Sequence, residues 1–364
     1  MSADPFCLDN YDYELPAERI AQFPPERRGS SRLLVLDKNR HRHVDAVFAD
    51  LPRYLPEGAI LVANNSKVTP ARLLGVRPGG GKAELLLLTP PPLLERAARP
   101  DDEGGFSAEA EVLLKPGRSI HPGDRLVFGP HIEALVEVRH DFGRHDVRLF
   151  WWGSLTERLE ETGHLPLPPY IRRGQGAEDR ARYQTLYARP DKAGSVAAPT
   201  AGLHFTDSLR ARLTKLGFPW LELTLHVGYG TFSPVRHQDI RQHVMHREFA
   251  ELPAETALAV NEARRQGRPV IAVGTTSARA LEAVARECGS LPGQGWQGWT
   301  DIFIYSGFRF QVVDGLITNF HLPKSSLLML VSALAGRENI LDAYAHAVSA
   351  KYNFFSYGDA MLIR

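Results

Sequence analysis

The chain has 364 residues, with 43 Lys and Arg against 42 Asp and Glu, a net charge of +1, 43% hydrophobic residues and two cysteines, Cys7 and Cys288. Two distant cysteines outside any CxxC pattern exclude a disulfide framework and a thiolate zinc site, and fit a reducing compartment. Near-zero net charge leaves the question of a polyanionic partner to local clusters of charge.

The length predicts two domains. Leu33–Asp37 (LLVLD) and Ala59–Ala63 (AILVA) are short, continuous apolar runs, as in strands buried on both faces. From about residue 70 the character changes. Short strand-like pieces follow one another at Ala83–Leu88, Ala108–Leu114, Arg125–Phe128, Glu133–Val138 and Asp146–Trp151, divided by turns such as Pro78-Gly79 and Pro122-Gly123. That spacing predicts a small antiparallel barrel, with Pro90–Gly105 as an exposed loop.

After Trp152 strands and helices alternate. Thr206 is the expected N-cap of a helix that buries Leu209, Leu213 and Leu216 and stops at Gly217. Strands are expected at Trp220–Val227, Pro269–Val273, Asp301–Tyr305, Gly315–Phe320 and Ala360–Ile363, and helices at Pro253–Gln266, Ser277–Cys288 and Glu338–Tyr352. The expected fold is α/β: a discontinuous α/β domain of residues 1–69 and 153–364, with a small antiparallel β-barrel domain inserted at 70–152. The longest apolar run, Leu327–Ala335, is about half of what spans a bilayer. With acidic residues at Asp4, Asp9 and Asp12 in place of an apolar signal, the chain reads as soluble and cytoplasmic, and as a monomer.

Six segments are dense in His, Thr, Ser, Gly and Asn beside strand sequence. They are AAPTAGLHFT (197–206), LTLHVGYGTFSPV (223–235), MHREF (245–249), AVGTTSARALE (272–282), ITNFHLPKSSLLMLVSALAG (317–336) and FFSYGDAMLI (354–363). Any one could be a bulge or a structural turn. Their recurrence at the ends of α/β strands is the usual layout of a binding site. In the first, Gly202 is expected to take a positive φ beside His204. In AVGTTSARALE a strand turns into a helix whose first N–H groups suit a carboxylate or phosphate. Neither GxGxxG nor GxxxxGK[ST] is present, which removes the usual support for a dinucleotide or triphosphate. His237, His243 and His246 match no HExxH pattern, so no metal site is expected.

Arginine and tyrosine interleave across Tyr170–Lys192, the combination that neutralises phosphates and stacks bases. Arg172, Arg173, Arg180, Arg182 and Arg189 are the expected phosphate contacts, with Tyr183 and Tyr187 as stacking candidates. Two other basic groups, around Arg27–Arg32 and Lys38–His43, read as solvated faces.

AAPTAGLHFT, TLHVGYGTF, MHREF, VGTTSARALE, TNFHLPKSSLLMLVSALAG and FSYGDAMLI, with the opening YDYELPAERIAQFPPERRGSSRLLVLD, closely resemble the S-adenosylmethionine:tRNA ribosyltransferase-isomerases of queuosine biosynthesis (the QueA family). The resemblance runs from Tyr11 to Ile363. The chain departs from the family pattern at Asn64-Asn65-Ser66-Lys67, where Asn-Asp-Thr-Arg is usual, at Gly29 in place of Asp, and at Ser306 in place of Pro.

The resemblance implies an enzyme that moves the ribosyl moiety of S-adenosylmethionine onto 7-aminomethyl-7-deazaguanine at the wobble position of a tRNA with a GUN anticodon. The products are epoxyqueuosine-tRNA, adenine and methionine. S-adenosylmethionine is consumed as a substrate, and no cofactor or metal is called for. The chemistry then makes His204, His226, His321 and Asp359 candidates for proton transfer, and Gly228, Gly230, Thr231, Thr275, Thr276 and Ser277 candidates for binding S-adenosylmethionine. A non-catalytic tRNA-binding protein and a nucleotide-dependent α/β enzyme are the competing readings.

Overall fold

The structure is a computed structural model and describes residues 4–102, 104–228 and 235–364. Strands β1 (Arg32–Asp37) and β2 (Arg42–Val47) form a hairpin, β3 (Ile60–Asn64) follows, and the two-residue β4 (Lys67–Val68) leads onward. Next come β5 (Arg72–Val76), β6 (Lys82–Leu87), α1 (Pro91–Ala97), β7 (Arg99–Pro100), β8 (Phe106–Lys115), β9 (Arg125–Val127), β10 (Ile132–Arg139) and β11 (Arg144–Trp151).

The order β11-β10-β9-β5-β6-β8 closes on itself because β11 also pairs with β8, from Arg144 opposite Leu113 to Trp151 opposite Phe106. The result is a closed six-stranded antiparallel barrel with β7 added beside β8. Ile132, Ala134 and Val136 of β10, and Val147, Leu149 and Trp151 of β11, point inward on alternate residues and build its separate core. The expected loop at 90–105 is corrected here. Pro91 opens a helical turn, and Leu94 of α1 is buried in that barrel core.

Beyond the barrel lie α2 (Leu155–Thr162), α3 (Asp179–Arg182), β12 (Ala193–Ser195), α4 (Asp207–Lys215), β13 (Trp220–Leu225), β14 (Glu248–Leu252), α5 (Ala254–Arg265), β15 (Val270–Val273), α6 (Thr275–Cys288), β16 (Trp296–Thr300), β17 (Gly315–Asn319), α7 (Ser326–Ala335), α8 (Arg337–Ser349) and β18 (Ala360–Ile363). Nine strands form one mixed sheet in the order β16-β14-β13-β3-β15-β17-β18-β1-β2. Both faces of its central strands are buried. Leu34, Leu36, Ile60, Val62, Val270 and Ala272 pack on the side of α5 to α8. Their neighbours Leu33, Val35, Leu61, Ala63, Ile271 and Val273 pack with Leu209 and Leu213 of α4 and with Phe48 and Leu51.

Thr206 caps α4 by accepting from the Leu209 amide at 3.1 Å, but Leu216 falls beyond the helix and is exposed. The strand expected at Asp301–Tyr305 is irregular; β16 ends at Thr300, although Ile302 and Ile304 still alternate into the core. β2 and β14 were not expected, nor was α7, whose even apolarity carries no helical period.

Candidate active site

At the centre of the sheet β13, β3, β15 and β17 run parallel, so their C-terminal ends share one edge. β18 is antiparallel to β17, which brings its N-terminal end to the same edge, with the start of β1 beside it. This edge opens into a cleft with about 1080 Å³ of empty space, the open solvent at its mouth included. Ala197–Ala201, Val227, Gly274–Thr276, Thr318–Ser325, Tyr170 and Phe355 are among the groups that line it.

Gly274 makes the turn from β15 into α6 with φ +89°, a conformation that favours glycine. The start of α6 therefore faces the cleft with no side-chain cap, its first amides free for an anion. The Thr276 hydroxyl beside them is buried and has no partner among the described residues. Ser277 is turned away, donating to the Val273 carbonyl at 2.8 Å, so its hydroxyl is not in the cleft. Thr275 and Thr276 line the cleft. Gly228 lies outside that lining, its amide donating to Glu248 Oε1 at 2.9 Å, while Gly230 and Thr231 lie outside the described residues.

His321, after β17, lines the cleft with Nε2 2.9 Å from Thr318 Oγ1. Its backbone is clamped as well. The Tyr13 hydroxyl donates to its carbonyl, and its amide donates to the Tyr344 hydroxyl at 3.0 Å. Burial lowers its pKa to about 3, so the ring is neutral at neutral pH.

The other proton-transfer candidates stand elsewhere. His204 lies behind the cleft wall, between Ser31 Oγ at 2.8 Å and the Asn319 amide at 2.9 Å; burial and then the nearby Arg28 charge lower its pKa to about 4. His226 is off the cleft, stacked on Phe249, with a pKa lowered to about 4 chiefly by burial. Asp359 accepts from the backbone amides of Arg32 at 2.7 Å and Asn353 at 2.8 Å. Both its oxygens are used in fixing the β1–β18 edge, and burial raises its pKa. Of the four, only His321 lines the cleft.

In the segment Tyr170–Lys192 the two tyrosines are corrected. Tyr183 and Tyr187 are core residues, packed edge-on against Tyr357 and Trp220, so neither ring can receive a base. Arg173 is bound to Asp179 through two oxygens, Arg180 reaches Glu160 and the Gly163 carbonyl, Arg182 the carbonyls of Pro25 and Glu26, and Arg189 pairs with Asp191. Arg172 stays exposed. The first basic group is not a solvated face either. Arg28 donates to the Gln184 carbonyl at 2.9 Å, and Arg32 lies 3.7 Å over the Tyr352 ring.

Two polar features escaped sequence reading. Asn319 stands in the TNFH motif, where the histidine drew attention. Glu248 and Arg279 come from two separate motifs, MHREF and SARAL, and meet in a buried ion pair at 2.5 Å that ties α6 to β14. Among the described residues no group of His, Cys, Asp and Glu is placed to hold a metal ion, and no helix is long and apolar enough to cross a membrane.

A sheet edge of parallel strands, a helix N-terminus open to an apolar cleft and an inserted barrel make up an α/β protein with a ligand-sized cleft. A family described as queuosine biosynthesis protein matches residues 8–363, and the chain belongs to it. It is 60% identical to the S-adenosylmethionine:tRNA ribosyltransferase-isomerase of Nitratidesulfovibrio vulgaris (strain DP4), over 99% of this chain and 98% of that protein. It is 57% identical to the protein so named in Oleidesulfovibrio alaskensis, over 100% of this chain and 94% of that one. A crystal structure of S-adenosylmethionine tRNA ribosyltransferase from Thermotoga maritima is 34% identical, with a TM-score of 0.53, and covers 98% of this chain and 100% of its own.

Proposed function

We infer from the cleft and the family together that this chain is an S-adenosylmethionine:tRNA ribosyltransferase-isomerase of queuosine biosynthesis, acting in the cytoplasm as a monomer on tRNA with a GUN anticodon. The observation that carries the reading is the uncapped N-terminus of α6 opening into a cleft whose walls are otherwise mainly apolar. It suits a ligand with a carboxylate at one end and a flat base at the other. The methionyl carboxylate meets the amides after Gly274, near Lys324, and the nucleoside lies along Tyr170, Phe355 and Asn319.

The sulfonium acidifies the adjacent 5′ carbon, and a neutral base within reach takes its proton. His321 is the cleft side chain suited to that step, because burial keeps it unprotonated at neutral pH. The attacking amine of the modified base must itself be neutral, which an apolar wall favours. The sulfonium provides the activation, so no metal is required.

Incubating the protein with S-adenosylmethionine and tRNA bearing the aminomethyl base tests the reading. Adenine and methionine are expected in equal amounts, only with that tRNA, and unchanged by EDTA. Release without tRNA, or loss of release in EDTA, would overturn it.

A further inference from the structure

Asn319 ends β17 at the cleft and is 3% exposed. Its Nδ2 donates to the Phe355 carbonyl at 3.1 Å and to His204 Nε2 at 2.9 Å. A backbone carbonyl can only accept, so flipping the amide would set two acceptors against each other. The orientation is therefore fixed, and it leaves Oδ1 buried without a partner among the described residues.

His204 completes the arrangement. With Nε2 accepting, the ring proton is on Nδ1 and is donated to Ser31 Oγ at 2.8 Å. Both ring nitrogens are occupied, and the ring is neutral. His204 is thus built to hold the Asn319 amide, not to carry protons. A hydroxyl such as that of Thr276 can donate or accept and dictates little about a ligand. A carbonyl oxygen accepts only, so Asn319 Oδ1 is satisfied only by an N–H or O–H donor.

The surroundings narrow that donor. Among the described residues the lining contains no Asp or Glu; its charged side chain is Lys324, itself held by Asp9 and Asp12. An ammonium at the Asn319 end of the cleft would lack a counter-ion, whereas that of S-adenosylmethionine has its own carboxylate beside it. Next to Asn319 the Tyr170 and Phe355 rings, with centroids 4.0 Å apart, offer apolar aromatic surface. An uncharged planar heterocycle with an amine on its edge satisfies both conditions.

We propose that Asn319 Oδ1 accepts a hydrogen bond from the exocyclic amine of the adenine of S-adenosylmethionine, with His204 as the positioning residue that fixes the amide. The proposal rests on the reading that this cleft takes S-adenosylmethionine. The test is calorimetric binding, without tRNA, of S-adenosylmethionine and of its 6-oxo analogue, in which hypoxanthine replaces adenine and the donor becomes an acceptor. Wild type is expected to bind the 6-oxo analogue roughly tenfold to a hundredfold more weakly. Asn319→Ala and His204→Phe, each checked for folding by circular dichroism, are expected to bring the two affinities to within about threefold of each other. Equal binding by wild type, or full discrimination retained in both variants, would overturn the proposal while leaving the cleft assignment standing. Failure of wild type to bind S-adenosylmethionine at all would sink that assignment and the proposal with it.

Discussion

Gly202 lies against the Tyr187 phenol: a Cβ there would stand 2.0 Å from the hydroxyl oxygen and 2.7 Å from Thr185 Cγ2. Its φ is not among the positive ones, so the residue is needed for close approach and not, as its motif suggested, for a left-handed turn. Gly202→Ala is expected to cost about 1–3 kcal/mol by overpacking. Tyr187→Phe removes a hydroxyl that has no partner among the described residues and should be near neutral alone and recover part of that loss in the double variant. Chemical denaturation of the three variants measures both effects.

Three histidines set a pH dependence at the same scale. His204 and His226 have folded pKa values of about 4 and His321 of about 3, all below the free value of 6.5. Below pH 6.5 the unfolded chain takes up protons that the folded chain refuses, so stability falls as pH falls. Each histidine contributes on the order of 1.4 kcal/mol per pH unit in the window between about 6 and 4. The melting temperature should drop steeply there, and His226→Phe should shallow the drop. His321→Ala should lower turnover by roughly 10²–10⁴ with the fold retained if its ring transfers the proton. The sequence could mark these histidines as special. It could not distinguish the one in the cleft from those behind it, because that depends on where neighbouring strands end.

Helix α6 is held at its first turns by the Arg279–Glu248 pair and faces the cleft with Thr276. Arg279→Met leaves the Glu248 carboxylate buried without its guanidinium and is expected to cost about 3–5 kcal/mol in denaturant melts. Thr276→Ala should instead weaken S-adenosylmethionine binding by roughly 0.5–1.5 kcal/mol and leave stability nearly unchanged. The strands around α6 were legible because residues buried on both faces leave unbroken apolar runs such as LLVL and AILVA. β2, RHVDAV, was not, since an edge strand exposed on both faces carries the charges that discourage further pairing. The Arg/Tyr segment is hard to read for a related reason. Arginine that binds carbonyls and carboxylates of its own chain has the same composition as arginine that waits for phosphate. Arg172→Ala should flatten the slope of log tRNA affinity against log salt by about 0.7–0.9. Arg173→Ala should act mainly on stability, through the loss of its bond to Asp179.

Across the whole molecule, the barrel and the sheet have separate cores and are joined where β4 pairs with β12, just before the Ala197–Ala201 wall of the cleft. The alternation of inward and outward residues made the barrel readable, whereas its closure through β8 and β11 rests on a pairing between distant strands that no local pattern records. The strand order has a further consequence for synthesis. β18, the last strand in chain order, lies between β17 and β1, third from the β2 edge of the sheet. A chain emerging from the ribosome can pair all six barrel strands once residue 151 is out and fill the barrel core once Leu155, Leu159 and Val196 follow, but the sheet stays split until Ala360–Ile363 arrive. During that interval the β1–β2 hairpin, made first, has no neighbour to pair with, and the edge carrying Asn319 and His321 is unfinished. A transcript cut a few codons short would therefore yield a protein with an intact barrel and no working cleft, so the tRNA would meet an active enzyme only after translation has run through β18.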